Sequence, residues 1–442
     1  MSLFSTLNVG ASGLGVSSSN LSVIGDNIAN IGTVGFKSNT GMFADMIPQR
    51  VGGLAGPQTL GTGAVMNAIA TSFGQGSIEG SSSALDVAVS GAGMFQVNDG
   101  DESYYTRDGS FYMNADNFLV NAQGLTVQGY QATDGALSSL ISDIQIDTSP
   151  IPQIETSSVV LTAELAPQDD TTALFPAPAT LDGVDPALGG TALTIEEMAE
   201  LADFTTSITI YDSLGQAHDA TVMFEANGTN NWDYVVVVDG AEDGGDNGFA
   251  LALSSGSMSF NSDGSLDPTT FTETIVSTPT FDGADAFSFT LDVGSTVAGA
   301  EGLGSITQAG TESSVSAITQ DGQATGAMLG ISVDADGQIV GQYDNGEELI
   351  LGQLGLAMFP SLTGLARVGG NLFAATLGSG DPAVGVAGTG GRGTTVGYAL
   401  EGSNVDLETE FVNMIQTQRS YSANAGVIQT VDETLQELVA LV

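Results

Sequence analysis

Apolar side chains return every seventh residue at both ends of the chain. Near the start they are Leu7, Leu14, Leu21 and Ile28, and Leu3, Ile24 and Ile31 fill part of a second column in which Gly10 and Ser17 leave gaps. Near the end they are Leu407, Met414, Tyr421, Ile428, Leu435 and Val442, with Phe411, Ala425 and Val439 four residues after three of them. A seven-residue repeat drifts about 20° per heptad on a straight helix, so it stays on one face only if the helix coils slightly around a partner. The pattern predicts a helix from about Leu3 to Asn30, ended near Gly32 by a left-handed cap. It predicts a second helix over 403–442, opened by Ser403-Asn404-Val405-Asp406 as a capping box. The two ends are expected to pair as a coiled coil, with these apolar columns as the assembly seam.

Between the ends the period changes to two. Leu85, Val87 and Val89 alternate toward a glycine turn, Phe95 and Val97 continue to Asp99-Gly100, and Tyr105 to Tyr130 keeps the style. Phe204, Ile208 and Ile210, then Val222 and Phe224, then Trp232, Tyr234, Val236 and Val238 form a three-strand meander with one apolar face, following a short helical stretch at Thr194–Ala202. From about Asp321 the earlier sheet style returns, through Ile331, Val333, Ile339 and Val340 to Leu354, Leu356 and Met358. Residues 34–75, and residues 378–402 with eight glycines between Gly378 and Gly397, read as linkers. The expected fold is multidomain α+β and nested. A helical domain is made of 1–33 and 403–442, a discontinuous β domain of 76–150 and 320–377, and a second β domain, 151–319, is inserted in it; both β domains are mostly antiparallel.

Charge narrows the function. Six Lys and Arg stand against 52 Asp and Glu, a net charge of -46, and no Lys or Arg occurs between Asp108 and Ala366. Nucleic acid and anionic membranes call for clustered cations, so neither is an expected partner. No apolar run is long enough for membrane insertion, and the amino terminus lacks a basic region before an apolar core, so export without a cleaved signal or a cytoplasmic location is expected. A hydrophobic content of 42% is high enough for most of the chain to fold. The terminal segments are nearly uncharged: Asp26 is alone from Met1 to Phe36, and Arg419 is alone from Phe411 to Val431. Their outward faces carry Ser17, Ser18, Ser19, Asn20, Asn413, Gln416, Thr417 and Ser422. Uncharged outer faces suit helices surrounded by copies of themselves, so a homopolymer is expected.

Catalytic and metal chemistry find little support. With no cysteine and one histidine, His218, the usual thiolate, imidazole and triad sets are missing. Asp239–Asp246 and Asp334–Asp336 do not match the spacing of a calcium loop, and the glycines around Gly388 and Gly393 lack the Lys-Ser/Thr of a phosphate loop. No cofactor and no metal are expected, and the chain is not expected to be an enzyme, although 52 carboxylates leave a glycosidase-like pair as an alternative.

Three sets of residues, in order, resemble the flagellar axial protein family of rod and hook subunits. The first is Ser12-Gly13-Leu14, Asp26-Asn27-Ile28-Ala29-Asn30 and Thr33-Val34-Gly35-Phe36-Lys37. The second is Tyr105-Thr106-Arg107-Asp108-Gly109-Ser110-Phe111 with Leu119 to Gly124. The third is Leu400-Glu401, Ser403-Asn404-Val405-Asp406-Leu407, Gln418-Arg419-Ser420-Tyr421 and Ala423-Asn424. Asn27, Ala29, Asn30, Gly35, Phe36, Arg107, Asn404, Asp406, Gln418 and Arg419 are the family-motif positions. The inserted segment 151–319, Tyr211 to Gly215 with His218, and Gly352-Gln353-Leu354 leading to Asn371-Leu372-Phe373 resemble the hook branch more than the shorter rod branch. The resemblance implies a tubular polymer outside the cell, a curved universal joint carrying torque from rod to filament. It implies as partners the rod, hook-cap and hook-filament junction proteins and the flagellar type III export apparatus. The alternatives are a distal rod protein, a secreted acidic adhesin and a glycan-acting enzyme. The acidic excess implies further that assembly needs salt or divalent cations to screen neighbouring copies.

Overall fold

The computed structural model describes residues 3–53, 56–133, 135–168, 175–294, 305–309 and 311–440. Two long helices bracket the chain: α1, Leu3–Ala29, and, at the other end, a helix over Leu407–Ala440. Most of the regular structure between them is strand, and the chain divides into two compact units. The first comprises Met1–Thr148, Met328–Gln342 and Glu348–Val442; the second comprises Ser149–Ala327 and Tyr343–Glu347. The architecture is α+β and largely antiparallel.

In the first unit, the strands before and after the insertion interleave in one sheet. Its main path runs Met328–Val333, Gln338–Tyr343, Glu348–Met358, Thr126–Thr133, Met94–Asn98, Ser103–Thr106, Leu372–Ala374 and Ala366–Gly369. Phe95 and Phe111 meet edge to face at 5.1 Å within a core that includes Val97, Ile144, Ile339, Leu354 and Leu356. Both expected linkers contain paired strands among the described residues. Residues 34–75 form the hairpins Asn39–Asp45/Ala64–Thr71 and Gln49–Gly53/Gly56–Leu60. Within 378–402, Ala383–Val386 joins Glu348–Met358, Thr394–Gly397 joins Val87–Ser90, and Ala399–Glu401 joins Ile78–Gly80. The glycines here serve tight packing. Gly388, Gly390 and Gly391 have positive φ, and a Cβ on Gly385 would lie 2.6 Å from the Arg392 guanidinium carbon. Arg392 in turn donates to the carbonyls of Leu356, Ala383 and Thr389, which holds the glycine turn on the sheet.

The second unit contains the short helix α2, Ile195–Leu201, opened by a capping box between Thr194 and Glu197. Its larger sheet is antiparallel: Phe204–Tyr211, Ala217–Ala226, Asn231–Asp239, Ala250–Ser259 and Thr274–Ile275. Here the single apolar face expected of the meander is corrected. Trp232, Tyr234, Val236 and Val238 face one core, while Val235 and Val237 face another with Met223, Leu181 and Met198 of α2. Covering both faces lets a central strand run through four consecutive valines. In the smaller sheet Ser158–Glu164 pairs in parallel with Thr290–Asp292 and Ser305–Thr307, and antiparallel with Ser314–Gln320. His218 is structural: its ring bonds Glu242 at 2.6 Å and Asp212 at 3.2 Å and stacks on Phe281 at 4.1 Å.

Candidate functional site: the helix pair and a buried ionic clasp

Helix Leu407–Ala440, hereafter α3, lies alongside α1. The line of closest approach is built from small and polar residues. A Cβ on Gly10 would meet Ile428 at 3.0 Å, and one on Gly13 would meet the Asn424 side chain at 2.6 Å. Asn20 donates to Thr417 Oγ1 at 3.0 Å, and Asn27 donates to Glu410 Oε1 at 2.9 Å. Ser17 and Thr417, expected on the outward face, are buried instead, and each hydroxyl donates to the carbonyl one turn back. Small side chains let two backbones approach, while a hydroxyl satisfied within its own helix does not oppose burial. The apolar columns therefore flank this line. Leu7, Leu14, Leu21, Ile28, Met414, Ile428 and Leu435 are half-buried, whereas Leu407, Phe411 and Tyr421 are exposed. Val442 and the side chains of Leu3 and Val439 lie outside the described residues.

Below the pair, three distant segments converge on Glu401. Its side chain is fully buried, with Lys37 Nζ 2.5 Å from Oε1 and Arg107 Nη1 3.0 Å from Oε2; the Lys37 and Arg107 side chains are 1% and 8% exposed. The Gly76 amide also donates to Oε1, at 2.9 Å. Lys37 donates as well to the Gly74 carbonyl at 2.8 Å, and Arg107 Nη2 to the Gly91 carbonyl at 2.6 Å. The backbone closes the same knot, for the Gly35 amide donates to the Glu401 carbonyl at 2.7 Å. Two cations thus share one carboxylate in a water-poor interior, and burial lowers the pKa of both Lys37 and Arg107.

The remaining motif residues surround this clasp. Asn27 exchanges two bonds with the Asn39 backbone, each 2.8 Å, and Asn404 accepts from the Ser38 amide at 2.7 Å while donating to the carbonyls of Ser72 and Gly74. Phe36 is buried beneath Arg367, whose guanidinium carbon lies 5.3 Å from the ring centre, and Asn371 donates to the Val34 carbonyl at 2.8 Å. Asn30 caps the end of α1 through the Asp26 carbonyl, and Ala29 is the exposed last residue of that helix. The opening cap of α3 is Asp406, not the expected Ser403 box. Its carboxylate accepts from Thr409 Oγ1 and the Glu408 amide, and these bonds hold it below the usual carboxylate range. Gln418 and Arg419 sit on the exposed face of α3, away from the clasp.

Sequence reasoning named Arg107 as a site position; Lys37 and Glu401 stood inside the family runs without being joined to it, and Glu410 was not tied to Asn27. The missed signal was scarcity: in a chain with six Lys and Arg, a lysine directly after a nearly uncharged segment is more than surface decoration. The sign of one pH effect follows. Burial holds Lys37 below its ordinary value of 10.5, so just below that pH the unfolded chain binds more protons than the folded one. Stability from this residue therefore rises with pH in that window. Alkaline melting curves should show the native chain gaining stability relative to Lys37→Met, and a widening deficit instead would refute the assignment.

Comparisons with known proteins cover both the ends and the middle. Family models for the flagella basal body rod protein match residues 7–37, and for the flagellar hook protein FlgE/F/G D1 domain residues 88–163. The flagellar basal body protein FlaE D2 domain matches 180–323, and the flagellar basal body rod FlgEFG protein C-terminal matches 396–441. The flagellar hook protein FlgE of Escherichia coli (strain K12) is 36% identical over 431 residues, covering 97% of this chain and 98% of that protein. The protein of the same name from Borreliella burgdorferi is 33% identical, covering 99% of each. Among solved structures, the flagellar hook protein FlgE2 of Helicobacter pylori superimposes with a TM-score of 0.53 at 15% identity, over 72% of this chain and 98% of that one. That last likeness shows a shared fold.

Proposed function

The chain belongs to the flagellar hook protein family, and from that premise we propose that its polymer is held by the apolar flanks of a terminal coiled coil. It is a structural subunit of the bacterial flagellar hook and not an enzyme. The observation that carries the proposal is the open flank of α3, where Leu407, Phe411, Val412, Ile415, Tyr421 and Val427 are all exposed although α1 lies alongside. A single copy buries the small-residue line together with Val23, Ile24 and Val431, and leaves these six uncovered. Leu407, Phe411 and Ile415, spaced at i, i+4 and i+8, form one exposed apolar ridge of the kind that marks a protein contact, and here the partner is a further copy. Leu7, Leu14, Leu21, Ile28, Met414, Ile428 and Leu435 then form the rest of the seam around a channel.

In this reading the clasp at Glu401 carries torque from the paired helices to the strands of the first unit. The polymer is extracellular and bends as a universal joint. Its partners are the rod, hook-cap and hook-filament junction proteins, and the subunit leaves through the flagellar type III export apparatus without cleavage of a signal.

Sedimentation and electron microscopy of the purified chain test the seam. Phe411→Glu with Ile415→Glu should leave the melting of the monomer within about 0.5 kcal/mol of native, since both side chains are exposed, yet abolish tubes. Normal tubes from the double variant would eliminate the seam. Charge sets the conditions. The second unit holds 27 carboxylates in Ser149–Ala327 and two more, Asp344 and Glu347, with no Lys or Arg. Repulsion among copies is screened within about 8 Å at physiological ionic strength, so tube yield should climb steeply with added salt. A yield indifferent to salt would show that the second units do not approach one another.

A further inference from the structure

The hairpin Asn39–Asp45/Ala64–Thr71 carries apolar side chains that neither α1 nor the sheet covers: Met42, Phe43, Val65 and Ile69 are exposed, with Met46 and Ile47 just beyond the first strand. Met42 lies opposite Ala68 and Ala44 opposite Val65, so one face of the ribbon is apolar. From Asn39 to Thr71 the only charged side chains are Asp45 and Arg50. Copies that each carry a net charge of -46 approach most closely where carboxylates are absent. A second copy of this chain is therefore the occupant that fits the face; this step rests on the polymer reading above.

Met42 and Met46 are 54% and 43% exposed, whereas Met94, Met198, Met223 and Met258 are buried and every other described methionine is at least half-buried. The chain has no cysteine to react first with an oxidant. We infer that Met42 and Met46 are an oxidation site at which peroxide switches off assembly. The thioether sulfur attacks one peroxide oxygen, the O–O bond breaks, and the departing oxygen leaves as water after proton transfer. Sulfur is oxidised by two electrons and hydrogen peroxide is reduced. Each side chain becomes a sulfoxide, a strong acceptor with no donor to meet it in an apolar contact between copies. Oxidation before assembly thus blocks the contact, whereas side chains already covered in a polymer are shielded.

The test treats full-length monomer at low salt with hydrogen peroxide, locates added oxygen by peptide mass mapping, and then adds salt and sediments the tubes. Oxygen is expected at Met42 and Met46 before any other described methionine, with tube yield falling at least about tenfold. Met42→Leu with Met46→Leu, which carries no thioether at these positions, should give the same tube yield after peroxide as the same variant left untreated. Earlier oxidation elsewhere, undiminished assembly with both sulfoxides present, or equal inhibition of the leucine variant would each overturn the inference. Untreated native chain is the control for its foundation: failure to form tubes at any salt would defeat the polymer reading and remove this inference with it.

Discussion

Glu401→Gln is expected to destabilise the first unit by about 3–5 kcal/mol, more than removal of either of its cationic partners. The asymmetry follows from counting charges in the clasp. Glu401 alone faces Lys37 and Arg107, so removing it leaves two positive charges in a fully buried site with no anion. Lys37→Met instead leaves Arg107 and Glu401 as a neutral pair and forfeits chiefly the bond to the Gly74 carbonyl, a loss of about 1–2 kcal/mol. Adding Lys37→Met to Glu401→Gln should therefore restore part of the lost stability, because one of the two stranded cations is gone. Urea unfolding of the four proteins measures this directly. Equal losses from the lysine and glutamate changes, with no recovery in the double variant, would mean that the two cations do not depend on one carboxylate.

Gly35→Ala should cost about 2–4 kcal/mol and weaken the same site by displacing its neighbour. Gly35 has a φ of +68°, a region that L side chains rarely adopt, and a Cβ there would sit 2.6 Å from the Asp108 amide nitrogen and 2.8 Å from the Arg107 carbonyl carbon. These are backbone atoms that cannot swing aside, so relief requires moving the strand that aims Arg107 at Glu401. Gly15 in α1 makes the contrast, since a Cβ there meets nothing within 4 Å. Gly15→Ala should stabilise the monomer by up to about 1 kcal/mol through helix propensity alone. If both changes proved neutral, the motif glycine would have no steric reason to be glycine.

Which features were legible in the sequence depended on how far apart the interacting residues are. The terminal helices, the short helix α2 and the antiparallel meander declare themselves through local periodicity, whereas the caps that open α2 and α3 did not. The parallel pairing of Ser158–Glu164 with Thr290–Asp292 joins strands more than a hundred residues apart and leaves no local mark. The seven-residue columns located the helices correctly but not their line of contact, because Gly10, Gly13 and Ser17 announce close approach only once a partner is known to exist. The two supposed linkers failed for a related reason. Glycine in 378–402 looked like freedom, whereas in place it makes room for the Arg392 side chain and for left-handed turns. Gly35, Lys37, Arg107 and Glu401 all stood inside recognisable runs, but nothing local said that the two cations share one carboxylate, since a carboxylate in a chain with 52 of them carries no individual signal until its neighbours are seen.

The partners of Glu401 stand 364 and 294 positions earlier in the chain. Closing so large a loop is slow compared with forming a hairpin, and it cannot begin before the ribosome has released nearly the whole polypeptide. At about 5–20 residues per second, the first 401 residues take roughly 20–80 seconds to make, and throughout that time α1 has the hairpin Asn39–Asp45/Ala64–Thr71 to pack against but not α3. The clasp and the pairing of α1 with α3 therefore wait for the same late-made segment, which couples the closing of one to the closing of the other.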